Sequence, residues 1–102
     1  MNNEQKKILI RSVEQSCPWD KIPTSVEGLF IVKTPEVNGH QTVLIELNPS
    51  VMGQPLKKRG VYIKNTNEYE AIKEIINNPK VKELIETINE CYSKKIVRKI
   101  EI

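Results

Sequence analysis

"GLFIVKTPEVNGHQTVLIEL", residues 28–47, decides how this chain folds. Its two ends, "GLFIVK" at 28–33 and "TVLIEL" at 42–47, are β-branched, apolar runs of strand length. Between them lies Asn38-Gly39, a dipeptide that tolerates the positive φ angles of a tight turn, so the two runs read as a hairpin. The connection from Thr34 to Gln41 is longer than a minimal two-residue turn. Beyond the hairpin, "NPSVMGQPLKKR", residues 48–59, carries two prolines and a glycine and reads as a loop. "GVYIK", residues 60–64, then returns as a third strand.

Alternation splits these strands into two faces. Leu29, Ile31, Val43, Ile45, Leu47, Val61 and Ile63 form a wholly aliphatic set, the face that helices are expected to cover. Phe30, Val32, Thr42, Leu44, Glu46, Tyr62 and Lys64 form a mixed set of aromatic, aliphatic and charged side chains, expected to stay more open.

From Asn65 the apolar period lengthens to that of a helix. Asn65 can cap a helix with Glu68 at the reciprocal capping position, and Ile72, Ile75 and Ile76 share one face. "NNP", residues 77–79, stops that helix and starts another, with Asn78 as cap and Pro79 at the first helical position, where its missing N–H costs nothing. Val81, Leu84, Ile85, Ile88 and Cys91 form the second stripe, with Cys91 read as a small buried hydrophobe. Tyr69 and Tyr92 are expected to pack. Residues 3–15 suit a helix or a strand equally, as do residues 94–102. Pro18 and Pro23 make the segment before the hairpin a loop.

The expected architecture is therefore α/β (α+β), an antiparallel sheet of three to four strands with helices on one face. At 102 residues, with 38% apolar and 28% charged side chains, the chain has the balance of one foldable domain. Within 1–102 the parts are an N-terminal segment 1–27, a β-rich 28–64, a helical 65–93 and a basic tail 94–102. No apolar stretch has the length of a membrane span and "MNNEQKK" is not a secretory leader, so a cytoplasmic location without membrane contact is expected. Cys17, Cys91 and His40 supply no zinc ligand set, and neither a metal site nor a cofactor is expected. Whether Cys17 and Cys91 are bridged stays open.

Charge is segregated along the chain. Residues 51–64 hold Lys57, Lys58, Arg59 and Lys64 with no acid, a balance of +4. Residues 65–93 carry six glutamates against Lys73, Lys80 and Lys82, a balance of −3, and residues 94–102 carry +3. A basic run beside an aromatic strand suits single-stranded nucleic acid: rings stack on unpaired bases while cations neutralise the phosphates between them. Tyr62, Phe30 and Trp19 are the candidate stacking residues, and Lys57, Lys58, Arg59 and Lys64 the phosphate contacts. Read as structure alone, the cations are a solvated loop, and the N-terminal segment with Trp19 folds over Phe30 and Tyr62 as a second small core.

The stretch "VLIELNPSVMGQPLKKRGVYIKNTNEYEAIKEIINNPKV", residues 43–81, resembles the core of the archaeal ThermoDBP family and its related proteins. The matching features are a strand ending in Asn48-Pro49, a loop with Gly53 and Pro55, Lys58-Arg59-Gly60 leading into the next strand, and a helix from Thr66. The resemblance implies a small α/β domain whose basic and aromatic cleft holds single-stranded DNA or RNA, and it carries over to Lys57, Lys58, Arg59 and Tyr62. The family's long C-terminal zipper helix has no counterpart in residues 94–102, which leaves a homo-oligomer an open question.

The sequence holds neither a glycine-rich phosphate loop nor a serine or cysteine placed to pair with His40, so no enzyme is expected. The glutamates of the helices recur as a solvated face. The expected function is non-catalytic binding of single-stranded DNA or RNA. The alternative is a small protein-interaction module presenting Phe30, Leu44 and Tyr62 to a partner chain.

Overall fold

The computed structural model describes residues 1–55 and 59–92. Lys57, Lys58 and the tail 94–102 lie outside the described residues. The structure groups into two compact units, Met1–Tyr69 and Glu70–Ile102.

The first unit opens with helix α1, Asn3–Gln15. Asn2 accepts the Gln5 N–H at 2.8 Å while the Gln5 side chain accepts the Asn2 N–H at 2.9 Å, a reciprocal cap that satisfies two otherwise orphaned donors. That cap resolves the helix-or-strand ambiguity of residues 3–15.

Six short strands follow: β1 Ile22–Pro23, β2 Leu29–Lys33, β3 Val43–Leu47, β4 Ser50–Val51, β5 Gln54–Pro55 and β6 Val61–Ile63. The antiparallel order β1-β2-β3-β6 makes the four-stranded sheet expected of an α/β chain. The expected hairpin forms, with a register that runs from Leu29 opposite Leu47 to Lys33 opposite Val43. At its tip Val37 and His40 exchange backbone hydrogen bonds of 2.8 and 2.9 Å around Asn38 and Gly39, both at positive φ (52° and 78°). The stretch read as one loop, 48–59, contains the small β4–β5 hairpin, turning through Met52 and Gly53.

Register confirms the two faces, but the mixed face is more enclosed than expected. On the mixed face Val32 is 1% exposed, Leu44 6% and Glu46 0%. On the aliphatic side Ile63 and Lys33 are buried, Leu29, Ile31, Ile45 and Leu47 are partly buried, and Val43 and Val61 are exposed. The side chains of Trp19 and Lys21, which lead into the edge strand β1, reach over the mixed face to Tyr62 and Glu46. Helix α1 packs on the aliphatic side: the Lys33 ammonium donates to the Val13 carbonyl at 2.8 Å, near the C-terminus of α1, where the helix dipole favours a cation. Beside α1 an apolar groove of about 270 Å³ remains, bordered by Leu9, Leu29, Ile31, Val43 and Ile63.

Helix α2 spans Thr66–Ile76 and helix α3 spans Pro79–Cys91. Asn65 accepts the Glu68 N–H at 2.9 Å, while Glu68 reaches back to the Lys64 N–H at 2.9 Å instead of to the cap residue. Asn78 caps α3 through the Lys80 N–H at 3.0 Å, with Pro79 at the first position, as the spacing predicts. The stripes have helical spacing, but Ile75, Ile76, Leu84, Ile85 and Ile88 are exposed, as are Tyr69, Tyr92 and Cys91. The expectation that Cys91 and the tyrosines are packed is therefore corrected: Tyr69 borders an open groove with Ile45 and Ile63, and among the described residues α3 has no further element after it to bury Tyr92 and Cys91.

Candidate functional site

Residues 17–23 form a strap whose shape is set locally. Asp20 accepts the Cys17 N–H at 3.0 Å, and the Asp20 N–H returns a bond to the Cys17 carbonyl at 3.1 Å, closing a tight turn. Trp19 sits inside that turn at φ 70°, a left-handed conformation that costs a bulky residue on the order of 1 kcal/mol or more. Its N–H donates to the Lys33 carbonyl at 2.9 Å, which ties the turn to the end of β2. The chain then pairs as β1, with Ile22 opposite Ile31, so Lys21 falls on the mixed face.

Two aromatic side chains meet there. The Trp19 and Tyr62 rings are 6.0 Å apart between centroids and tilted by 48°, a geometry that favours aromatic pairs. Trp19 is 52% exposed and Tyr62 half-buried, so the pair presents one open aromatic surface. Phe30 is separated from this pair by β3. Pairing sets Phe30 opposite Glu46 and Glu46 opposite Tyr62, giving a cross-strand row with a carboxylate between two rings. The Lys21 ammonium lies 5.8 Å from the Phe30 centroid, within cation–π range, so this ring faces a side chain of the strap.

Glu46 is the electrostatic centre of the row. Its Oε2 accepts from Lys21 Nζ at 3.0 Å, from the Gly60 N–H at 2.9 Å and from Asn48 Nδ2 at 3.4 Å. Oε1 is equally enclosed and has no donor among the described residues. Burial pushes the Glu46 carboxyl up, but the Lys21 hydrogen bond, the Gly60 N–H, the Lys21 charge and the Asn48 amide together outweigh it. The carboxyl is held below its ordinary value and is ionised at neutral pH.

Gly60 allows this approach. A Cβ at that position would fall on the Leu47 carbonyl oxygen and lie 2.8 Å from Asn48 Cβ. Only a residue without a side chain can bring this backbone against the end of β3 and aim its N–H at the carboxylate. Arg59, exposed, immediately precedes it.

Of the expected site residues, the fold brings Trp19 and Tyr62 together and sets Arg59 at the start of the strand that carries Tyr62. Phe30 lies on the same face, under Lys21. Lys64 departs from the alternation: it borders the groove beside α1 with Ile45 and Ile63, on the aliphatic side, because β6 ends at Ile63. Leu44, an anchor of the protein-interaction alternative, is buried. Sequence reasoning missed Lys21, Asn48 and Gly60 as partners of Glu46. The available signal was Glu46 itself, a lone carboxylate in an apolar strand, which demands a cation if it is buried.

No group of three or more His, Cys, Asp or Glu side chains that could hold a metal ion occurs among the described residues. Nor is any helix among them long and apolar enough to cross a membrane. No protein-family model matches the chain, and no curated protein or solved structure matches it.

Proposed function

We propose that the protein binds single-stranded nucleic acid, DNA or RNA, without catalysing a reaction on it. The observation that carries this reading is the half-exposed Trp19 ring leaning on Tyr62, on the strand that Arg59 leads into. Unpaired bases present a π-face to such a surface, and stacking on an aromatic residue contributes roughly 1–3 kcal/mol per base. The segment with Lys57, Lys58 and Arg59 supplies the phosphate contacts, with no acid between residues 51 and 64 to oppose them. Duplex DNA has its bases stacked internally and offers only its backbone to the cations. Single strands are therefore the preferred ligand. Leu44 being buried removes one anchor of the competing protein-interaction reading.

Fluorescence anisotropy of labelled single-stranded DNA, double-stranded DNA and single-stranded RNA, titrated at two salt concentrations, tests this reading. The expected result is tighter binding to single strands, with log affinity falling against log salt at a slope of about −2 if three cations each neutralise a phosphate at roughly −0.7 apiece. Changing Lys57, Lys58 and Arg59 together to Ala should flatten that slope with the fold intact. Absence of binding to all three probes at low salt would overturn the proposal and favour the protein-interaction module.

A further inference from the structure

The Trp19–Tyr62 surface is composite, because its two rings come from segments more than forty positions apart in the chain. Each segment is pinned to the same atom. Lys21, two residues after Trp19, places its ammonium 3.0 Å from Glu46 Oε2. Gly60, two residues before Tyr62, places its N–H 2.9 Å from that same oxygen. Glu46 is also the cross-strand neighbour of Tyr62, so its side chain rises from the sheet beside the ring it helps to set.

We propose that Glu46 is the positioning residue of this surface: one buried carboxylate holds the Trp19 strap, through Lys21, in place over the Tyr62 strand, which it holds through Gly60. The functional meaning of this arrangement rests on the nucleic-acid reading; the arrangement itself does not. Glu46 touches no ligand, since none of its side chain is exposed. It acts through Trp19. The left-handed backbone of Trp19 fits this role, because such a conformation persists only where its surroundings over-determine it. Here the Asp20 turn and the Lys33 carbonyl hold one end of the strap, and the Lys21–Glu46 pair holds the other. Without the pair, the half-exposed Trp19 keeps its backbone anchor but loses the constraint that aims its ring at Tyr62.

Trp19 is the only tryptophan in the chain, so its emission reports on the strap alone. The variants are Glu46→Gln, Lys21→Met and the two combined. In Glu46→Gln the amide oxygen can still accept the Gly60 N–H, so β6 keeps its lead-in while the ion pair is lost. Both single variants should keep the wild-type far-UV circular dichroism, shift Trp19 emission to the red and raise its quenching by acrylamide about twofold. Affinity for a labelled oligothymidylate should fall about tenfold with the salt slope unchanged, because no phosphate contact is removed. The double variant should match the singles, since both remove one interaction. If either single variant fails to fold, the double variant decides, because it leaves neither the buried carboxylate nor the ammonium uncompensated. Unchanged emission and quenching in the folded variants overturn the positioning role. A wild-type protein that binds no oligothymidylate overturns the nucleic-acid reading instead and leaves the emission result to decide the role of Glu46.

Discussion

Val43 and Leu44 are neighbours on one strand and point to opposite faces of the sheet; the first is 43% exposed and the second 6%. Composition alone favours the opposite assignment, because the face of Val43 is wholly aliphatic and the face of Leu44 also carries Glu46, Phe30 and Tyr62. The difference shows that enclosure follows the segment that arrives to cover a face. The strap reaches the mixed face because Lys21 finds a carboxylate there and Trp19 finds a ring. Polar groups on a sheet can thus mark the buried side when a complementary segment lies within reach.

The largest expected effect that can break this comparison lies in the core. Leu44→Ala should cost about 3 kcal/mol of stability, measured by urea unfolding, as for a buried leucine whose cavity collapses only partly. A loss under about 1 kcal/mol would mean that the mixed face is not closed in solution. Next comes Trp19→Ala, expected to weaken single-strand binding by about 1–3 kcal/mol, read by anisotropy. Equal affinity in that variant would separate the strap from the binding surface.

Acid sharpens the comparison further. The Glu46 carboxyl titrates lower in the folded chain than in the unfolded one, so its contribution is fully present above the unfolded value near 4.5 and is lost as pH falls through the lower folded value. Urea midpoints followed from neutral pH into acid should therefore fall more steeply for the wild type than for Glu46→Gln, which has no proton to take up at that site. Parallel curves would remove the buried pair from the account of why this face is closed. In the helical unit, Asn78→Ala should cost about 1 kcal/mol through loss of the cap, read as reduced helicity at elevated temperature. The smallest effect belongs to the open face: Val43→Ala should change stability by about 0.5 kcal/mol or less.

How much of this was legible in the sequence follows from the range of each interaction. The hairpin, the Asn78-Pro79 restart and the two-sided split of the strands are local, and the order of residues suffices to read them. The helix at residues 3–15 was ambiguous because Ile8, Leu9, Ile10 and Val13 suit either period; the Asn2 and Gln5 spacing was the deciding signal. The strap was not legible, because Lys21 and Glu46 are far apart in the chain and nothing in their local context pairs them. Trp19 at positive φ defies local preference altogether. Of the candidate site, the pairing of Trp19 with Tyr62 was foreseen only as a packing alternative, and the geometry retains both aspects, one ring half-buried and the other half-open.

Gly60 carries a consequence for heredity as well as for mechanics. Every amino acid that a single-base change of a glycine codon can introduce has a side chain that begins with a Cβ, and there is no room for that atom against the Leu47 carbonyl. Within a lineage this one position should therefore pass unaltered through changes that the exposed residues around it accept, and a library of random variants sorted for folding should come back with that codon still reading glycine.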